Sequence, residues 1–171
     1  MQALIYFFFE MCLLRRAPQD LPASELLFRL VLATSLLIGV LVGVIAGQPL
    51  LAGVIRSLAQ LLLLLAVLFV ALDLFGRRPR FLQTATALLG TGALLGLLAL
   101  IPIGLLPADF AGDQLTLAGL VLLGIFVWSV VVAGHIVRHT FGVTLGQGAA
   151  IVVLYELLSF LLLGGLLAGG G

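Results

Sequence analysis

ELLFRLVLATSLLIGVLVGVIAGQPLLAGVIRSLAQLLLLLAVLFVALDLFGRRPR, residues 25–80, places two long apolar runs on either side of GQPL (47–50) and closes them with GRRPR (76–80). A helix that crosses the hydrocarbon of a bilayer needs about 20 mainly apolar residues, each rising about 1.5 Å. Both runs meet that length. The glycine and proline between them make a break whose freed backbone groups water or lipid headgroups can satisfy. The stretch reads as a membrane-crossing hairpin of helices.

The rest of the chain repeats the pattern. Of its 171 residues 63% are hydrophobic and 9% charged, with a mean hydropathy of +1.37, whereas a soluble domain carries about a quarter charged residues. Five runs are predicted to span: about 26–47, 54–75, 81–103, 115–137 and 145–167. PADFAGDQ (107–114) and RHTFGVT (138–144) supply the remaining breaks. The expected fold is all-α, an integral membrane five-helix bundle in a single domain covering residues 1–171, preceded by an N-terminal interfacial amphipathic helix within residues 1–16.

That first segment, Ala3 to Leu14, is about 18 Å long as a helix and too short to span. It lacks a basic leader, and Arg15 and Arg16 stand where a signal peptide would have small residues before cleavage. At 100° per residue Leu4, Phe7, Phe8, Met11 and Leu14 share one face, and Gln2, Tyr6 and Glu10 another, which suits a helix lying in the interface. RRAPQDLPAS (15–24) then makes the corner. Its arginines are expected at headgroups, Asp20 or Ser24 as the cap of the first span, and Pro22 in that span's opening turn.

All eight basic residues are arginine and the formal net charge is +1, so their placement matters more than their sum. With five spans, Arg15, Arg16, Arg29, Arg77, Arg78, Arg80 and Arg138 fall on one side, and Arg56 joins Asp109 and Asp113 on the other. Short cytoplasmic loops carry the excess of basic residues. The expected orientation is therefore N-terminus cytoplasmic and C-terminus outside, in a cell inner membrane. The charge balance suggests no nucleic-acid partner. The single cysteine, Cys12, excludes an internal disulfide.

Small residues let membrane helices approach closely. Gly39, Gly43 and Gly47 form a four-residue stripe in the first span, and Gly92 and Gly96 repeat it in the third. These glycines are expected at helix contacts, either within the chain or along a homo-oligomer seam. Pro102 is expected to end or kink the third span.

Few residues offer chemistry. Glu156 lies near the middle of the last span with Ser159 close to it on the wheel, and an intramembrane carboxylate is a functional candidate by default. Arg29 and Arg56 are conceivable partners. Asp73 and Arg77 have the order of a helical i,i+4 ion pair. His135 and His139, also four apart, are read as polar caps beside Arg138 at the same rim, with metal or pH sensing as the alternative. HIVRH lacks the glutamate of an HExxH protease, and no nucleophile motif, phosphate loop or cofactor signature occurs. The sequence makes no positive case for an enzyme.

APQDLPAS (17–24), FGRRPRFLQTATALLG (75–90), IPIGLLP (101–107) and GLVLLGIFVWSVVVAGHIVRHTFGVTLGQGAAIVVL (119–154) together resemble the Yip-domain family, membrane proteins related to Ypt-interacting proteins. The chain departs from eukaryotic members in lacking their long soluble N-terminal region and DLYGP-like motif. Asp20, Leu21 and Pro22 only echo that motif, so small-GTPase binding is not carried over. Leucine, glycine and exclusive arginine usage suggest a bacterial member. The resemblance implies the fold more than a mechanism. The expected function, read from the interfacial helix and the arginine-rich cytoplasmic rim, is a non-enzymatic inner-membrane protein that organises partners or shapes the bilayer, with lipids, a membrane protein or a second copy as partner. The competing expectation is a small transporter or channel using Glu156, and lipid handling along a polar groove is a third.

Overall fold

The computed structural model describes residues 2–105 and 117–168. The helices are α1 (Gln2–Cys12), α2 (Glu25–Ile45), α3 (Leu50–Leu74), α4 (Phe81–Gly104), α5 (Leu117–Phe141) and α6 (Leu145–Ala168). No strand occurs among the described residues. Five of the helices are long and apolar enough to cross a membrane, and the chain is a multi-pass membrane protein built as a helical bundle. Asp109 and Asp113 lie outside the described residues.

Helix α4 is the centre of the bundle. It packs against α2 on one side and α5 on the other, with α6 beyond α5 and α3 beyond α2. Its sequence explains the position: Thr84, Ala85, Thr86 and Ala87 are all buried, and side chains this small admit neighbours on several faces. Helix α3 is the least buried of the five and touches α6 only sparsely. Leu62, Phe69, Leu154, Phe160 and Leu161 are among many large side chains turned outward, as a surrounding of acyl chains requires.

The apolar face of α1 is the expected one, but protein covers it. Phe8, Met11 and Cys12 join the main core with Leu27, Leu89 and Val132, and Leu4, Phe7 and Leu14 pack at its edge. A side chain at Gly90 of α4 would collide with the Phe8 ring, so this glycine is what admits α1. The opposite face, Ile5, Tyr6 and Phe9, is exposed. Leu14 ends α1 at φ 61°, with its N–H donating to Met11 O and that of Arg15 to Glu10 O. This is a left-handed helix stop made without glycine.

The corner at 15–24 differs in detail from its sequence reading. Ser24 Oγ caps α2 by accepting from Leu27 N–H at 3.4 Å. Asp20 instead accepts from Ala17 N–H within a short 3₁₀ turn, Pro18–Asp20. Helix α2 begins at Glu25, so Pro22 precedes its first turn instead of occupying it. Pro102 lies inside the last turn of α4.

The glycine stripe divides. Gly39 faces Ser57, and Gly43 faces Gly53 in α3; Gly96 faces Ile38 of α2. Gly47 is the left-handed stop of α2, at φ 83°, and a β-carbon added there would meet nothing within 4 Å. Gly92 likewise has open space where a side chain would stand. The tightest crossing joins α5 to α6, where Gly148 abuts the Gly134 carbonyl and a side chain on Gly134 would come within 2.8 Å of Ala149 N.

Candidate functional site

The antiparallel order collects the arginine-bearing termini at one end of the bundle. Gly76, at φ 65°, stops α3 and reverses the chain. Arg77 therefore leaves the helix face on which Asp73 sits, and Asp73 pairs with Arg78 instead. The expected Asp73–Arg77 pair is replaced because the i,i+4 geometry needs the helix to continue. Arg77 Nη1 donates to Thr140 O at 2.6 Å, and Arg80 Nη1 to the same carbonyl at 3.3 Å. These guanidinium groups close the carbonyl end of α5, where helix carbonyls lack partners and the helix dipole is negative.

Behind this clasp Thr84 and Thr140 share a buried hydroxyl hydrogen bond at 3.2 Å. Phe75 and Phe141 meet edge to face at 5.3 Å, and Phe81 lies between Phe28 and Phe69. The arginine-rich end is sealed by polar bonds to α5 from the α3–α4 connection and from Thr84 of α4, with aromatic rings beneath them.

Other rim residues tie down α1. Arg16 pairs with Glu10 at 2.9 Å, and its guanidinium covers the Phe7 ring. His135 is buried, with Nε2 3.1 Å from Arg16 O. Its ring lies 4.5 Å from that of His139, centroid to centroid. Among the described residues no group of three His, Cys, Asp or Glu side chains is placed to hold a metal. Trp128 Nε1 donates to Cys12 O at 3.1 Å. Burial pushes the Cys12 thiol up to about 11. Arg15 and Arg138 are exposed, and Arg29 pairs with Glu25.

Beneath the sealed end the helices part around a cavity of about 700 Å³ that reaches up to Phe141. Its back wall is α4 at Gly92, Ala93 and Gly96, and its sides come from α2, α3, α5 and α6. Gly92 lines this space, which is why it meets no helix. Toward the sealed end the lining is apolar, with Leu64, Val67, Leu68 and Phe141; further along come Ser57, Gln60, Arg56, Gln48 and Glu156. At about 1.5 Å per residue, Arg56 lies ~9 Å along α3 and Glu156 ~17 Å along α6, near the middle of its helix.

A second hollow of about 320 Å³ adjoins the first and shares Arg56, Gln60 and Glu156 with it. Ser159 also lines it and is otherwise buried. The Tyr155 hydroxyl is buried beside the cavity, one helical turn from Ser159. Among those residues Arg56 and Glu156 form no ion pair with each other or with any other side chain.

Of the residues predicted from sequence, Glu156, Ser159 and Arg56 meet at this site, whereas Gln60, Ser57 and the cavity itself emerge only from the structure. The available signal was polar residues recurring at 56, 57 and 60 within an otherwise apolar span. Comparisons with protein-family models, with characterised proteins and with solved structures find no match to this chain.

Proposed function

We propose that the protein is a small non-enzymatic transporter of a bacterial inner membrane, with Glu156 as the central polar contact of its substrate. The observation that carries this reading is the position of Glu156 on a cavity of about 700 Å³ shared with Arg56 and Gln60. Ligand sites of a few hundred cubic ångströms are mostly apolar with a few convergent polar groups, and an intramembrane carboxylate marks such paths. In this reading the arginine-rich rim faces the cytoplasm and the cavity is reached from the other side. Opening the sealed end requires Arg77 and Arg80 to release Thr140.

We also propose, as a separate reading, a Yip-like relationship, for which the five-span pattern and the short N-terminal helix speak. A partner-organising role draws on a separate observation, the exposed Ile5, Tyr6 and Phe9 face of α1.

Labelling of single cysteines introduced at Ser57, Gln60, Leu68 and Ala71 tests the transporter reading. The native background is low, because Cys12 is buried and its thiolate forms only toward pH 11. A membrane-impermeant thiol reagent is expected to modify positions 57 and 60 from the side opposite the arginines and to leave 68 and 71, which line the apolar end of the same cavity beneath the clasp, unmodified from either side. Protection of 57 and 60 from both sides would overturn the reading.

A further inference from the structure

Among the described residues the smaller hollow is lined by α3 and α6: Arg56 and Gln60 from one, Glu156, Ser159, Phe160 and Leu163 among those from the other. Arg56, Gln60 and Phe160 are exposed. The hollow therefore runs along a seam on the side of the bundle, where lipid enters laterally, and it joins the larger cavity through Arg56, Gln60 and Glu156. A guanidinium, a carboxamide and a carboxylate at an opening toward acyl chains are costly unless water or a polar partner satisfies them. The adjoining larger cavity offers Leu61, Leu64 and Leu88 as an apolar lining.

From this juxtaposition we infer that the α3/α6 seam binds a phospholipid whose headgroup carries both a phosphate and a primary amine. The phosphate takes Arg56, with Gln60 and Ser159 as further hydrogen-bond donors. The ammonium takes Glu156, and an acyl chain enters the apolar part of the larger cavity. Charge selects this class: guanidinium and carboxylate stand in one hollow, so an anionic headgroup without an amine leaves Glu156 facing a phosphate. The inference rests on the transporter reading and names its ligand.

The test is lipid exchange onto the purified full-length protein, with bound lipid counted by native mass spectrometry after incubation with vesicles of phosphatidylethanolamine or phosphatidylglycerol. Wild type is expected to retain phosphatidylethanolamine about tenfold over phosphatidylglycerol, the scale of one charge-assisted hydrogen bond. Glu156→Gln should bring that ratio near one. Arg56→Gln should lower retention of both lipids several-fold. Soluble glycerophosphoethanolamine should not displace the lipid at equal concentration, since it lacks the chains.

Equal retention of the two lipids by wild type overturns the inference, as does full competition by the soluble headgroup or an unchanged ratio in Glu156→Gln. The wild-type arms decide even where a variant fails to fold. If 57 and 60 react with thiol reagent while lipid selectivity is absent, the transporter reading stands and its lipid ligand falls.

Discussion

At the arginine-rich end, Arg77 and Arg80 of the segment joining α3 to α4 reach across to α5 and bond its terminal carbonyls, with Thr84 and Thr140 bonded beneath. Around Glu156, α3 and α6 stand apart, and Arg56, Gln60 and Glu156 line open space. The difference lies in how the polar groups are used. Lipid gives apolar side chains no drive to associate, so packing and interhelical hydrogen bonds must hold helices together. Where polar groups are spent on helix contacts the bundle closes, and where they are left facing a cavity they are free for a ligand.

The largest effect expected from breaking this contrast is at the α5/α6 crossing. Gly148→Leu drives a side chain into the Gly134 backbone, which cannot yield as a flexible side chain does. It should cost about 3 kcal/mol or prevent folding, read as lost monodisperse protein or a lowered unfolding midpoint in detergent. The same change at Gly92, which faces the cavity, should leave the midpoint nearly unchanged while protecting a cysteine at position 60 from thiol reagent. Equal damage at both glycines would remove the distinction between closed and open regions.

Arg77→Ala should come next. It removes a part-buried charge-assisted bond to Thr140, worth about 1–2 kcal/mol, and should make a cysteine at position 71 reactive. Arg77→Lys should recover the effect only in part, because an ammonium lacks the guanidinium's fork of donors.

Gly76→Ala should cost about 1 kcal/mol by backbone conformation alone, since its φ is 65° and nothing lies within 4 Å of the added carbon. Glu156→Gln should change stability least, by under about 1 kcal/mol, because no described residue pairs with it. A loss of several kcal/mol there would mean that the carboxylate holds the bundle together.

The membrane-spanning helices were legible because hydropathy and breakers act over twenty-residue windows. The face of α1 was legible too. What covers it was not, since an apolar stripe reads the same against lipid or against α4, and the deciding feature is the missing side chain at Gly90. Asp73 was paired with the wrong arginine because Gly76 ends the helix within that four-residue interval. Glu156 and Ser159 could be selected from cost alone, but the cavity depends on how five helices diverge, which no local spacing encodes. Gly39 and Gly43 behave as a contact stripe, whereas Gly47 and Gly92 serve as a stop and a lining.

The most direct test of a bundle closed at one end and open around Glu156 is a nitroxide scan along α3 from position 53 to 74 in bilayers, reading collision with a water-soluble nickel chelate and with oxygen. The account predicts high nickel accessibility at 57 and 60, falling to a minimum by 68, while outward positions such as 62 and 69 favour oxygen. Uniform preference for oxygen across 57 and 60, or nickel accessibility continuing through 68, would contradict it.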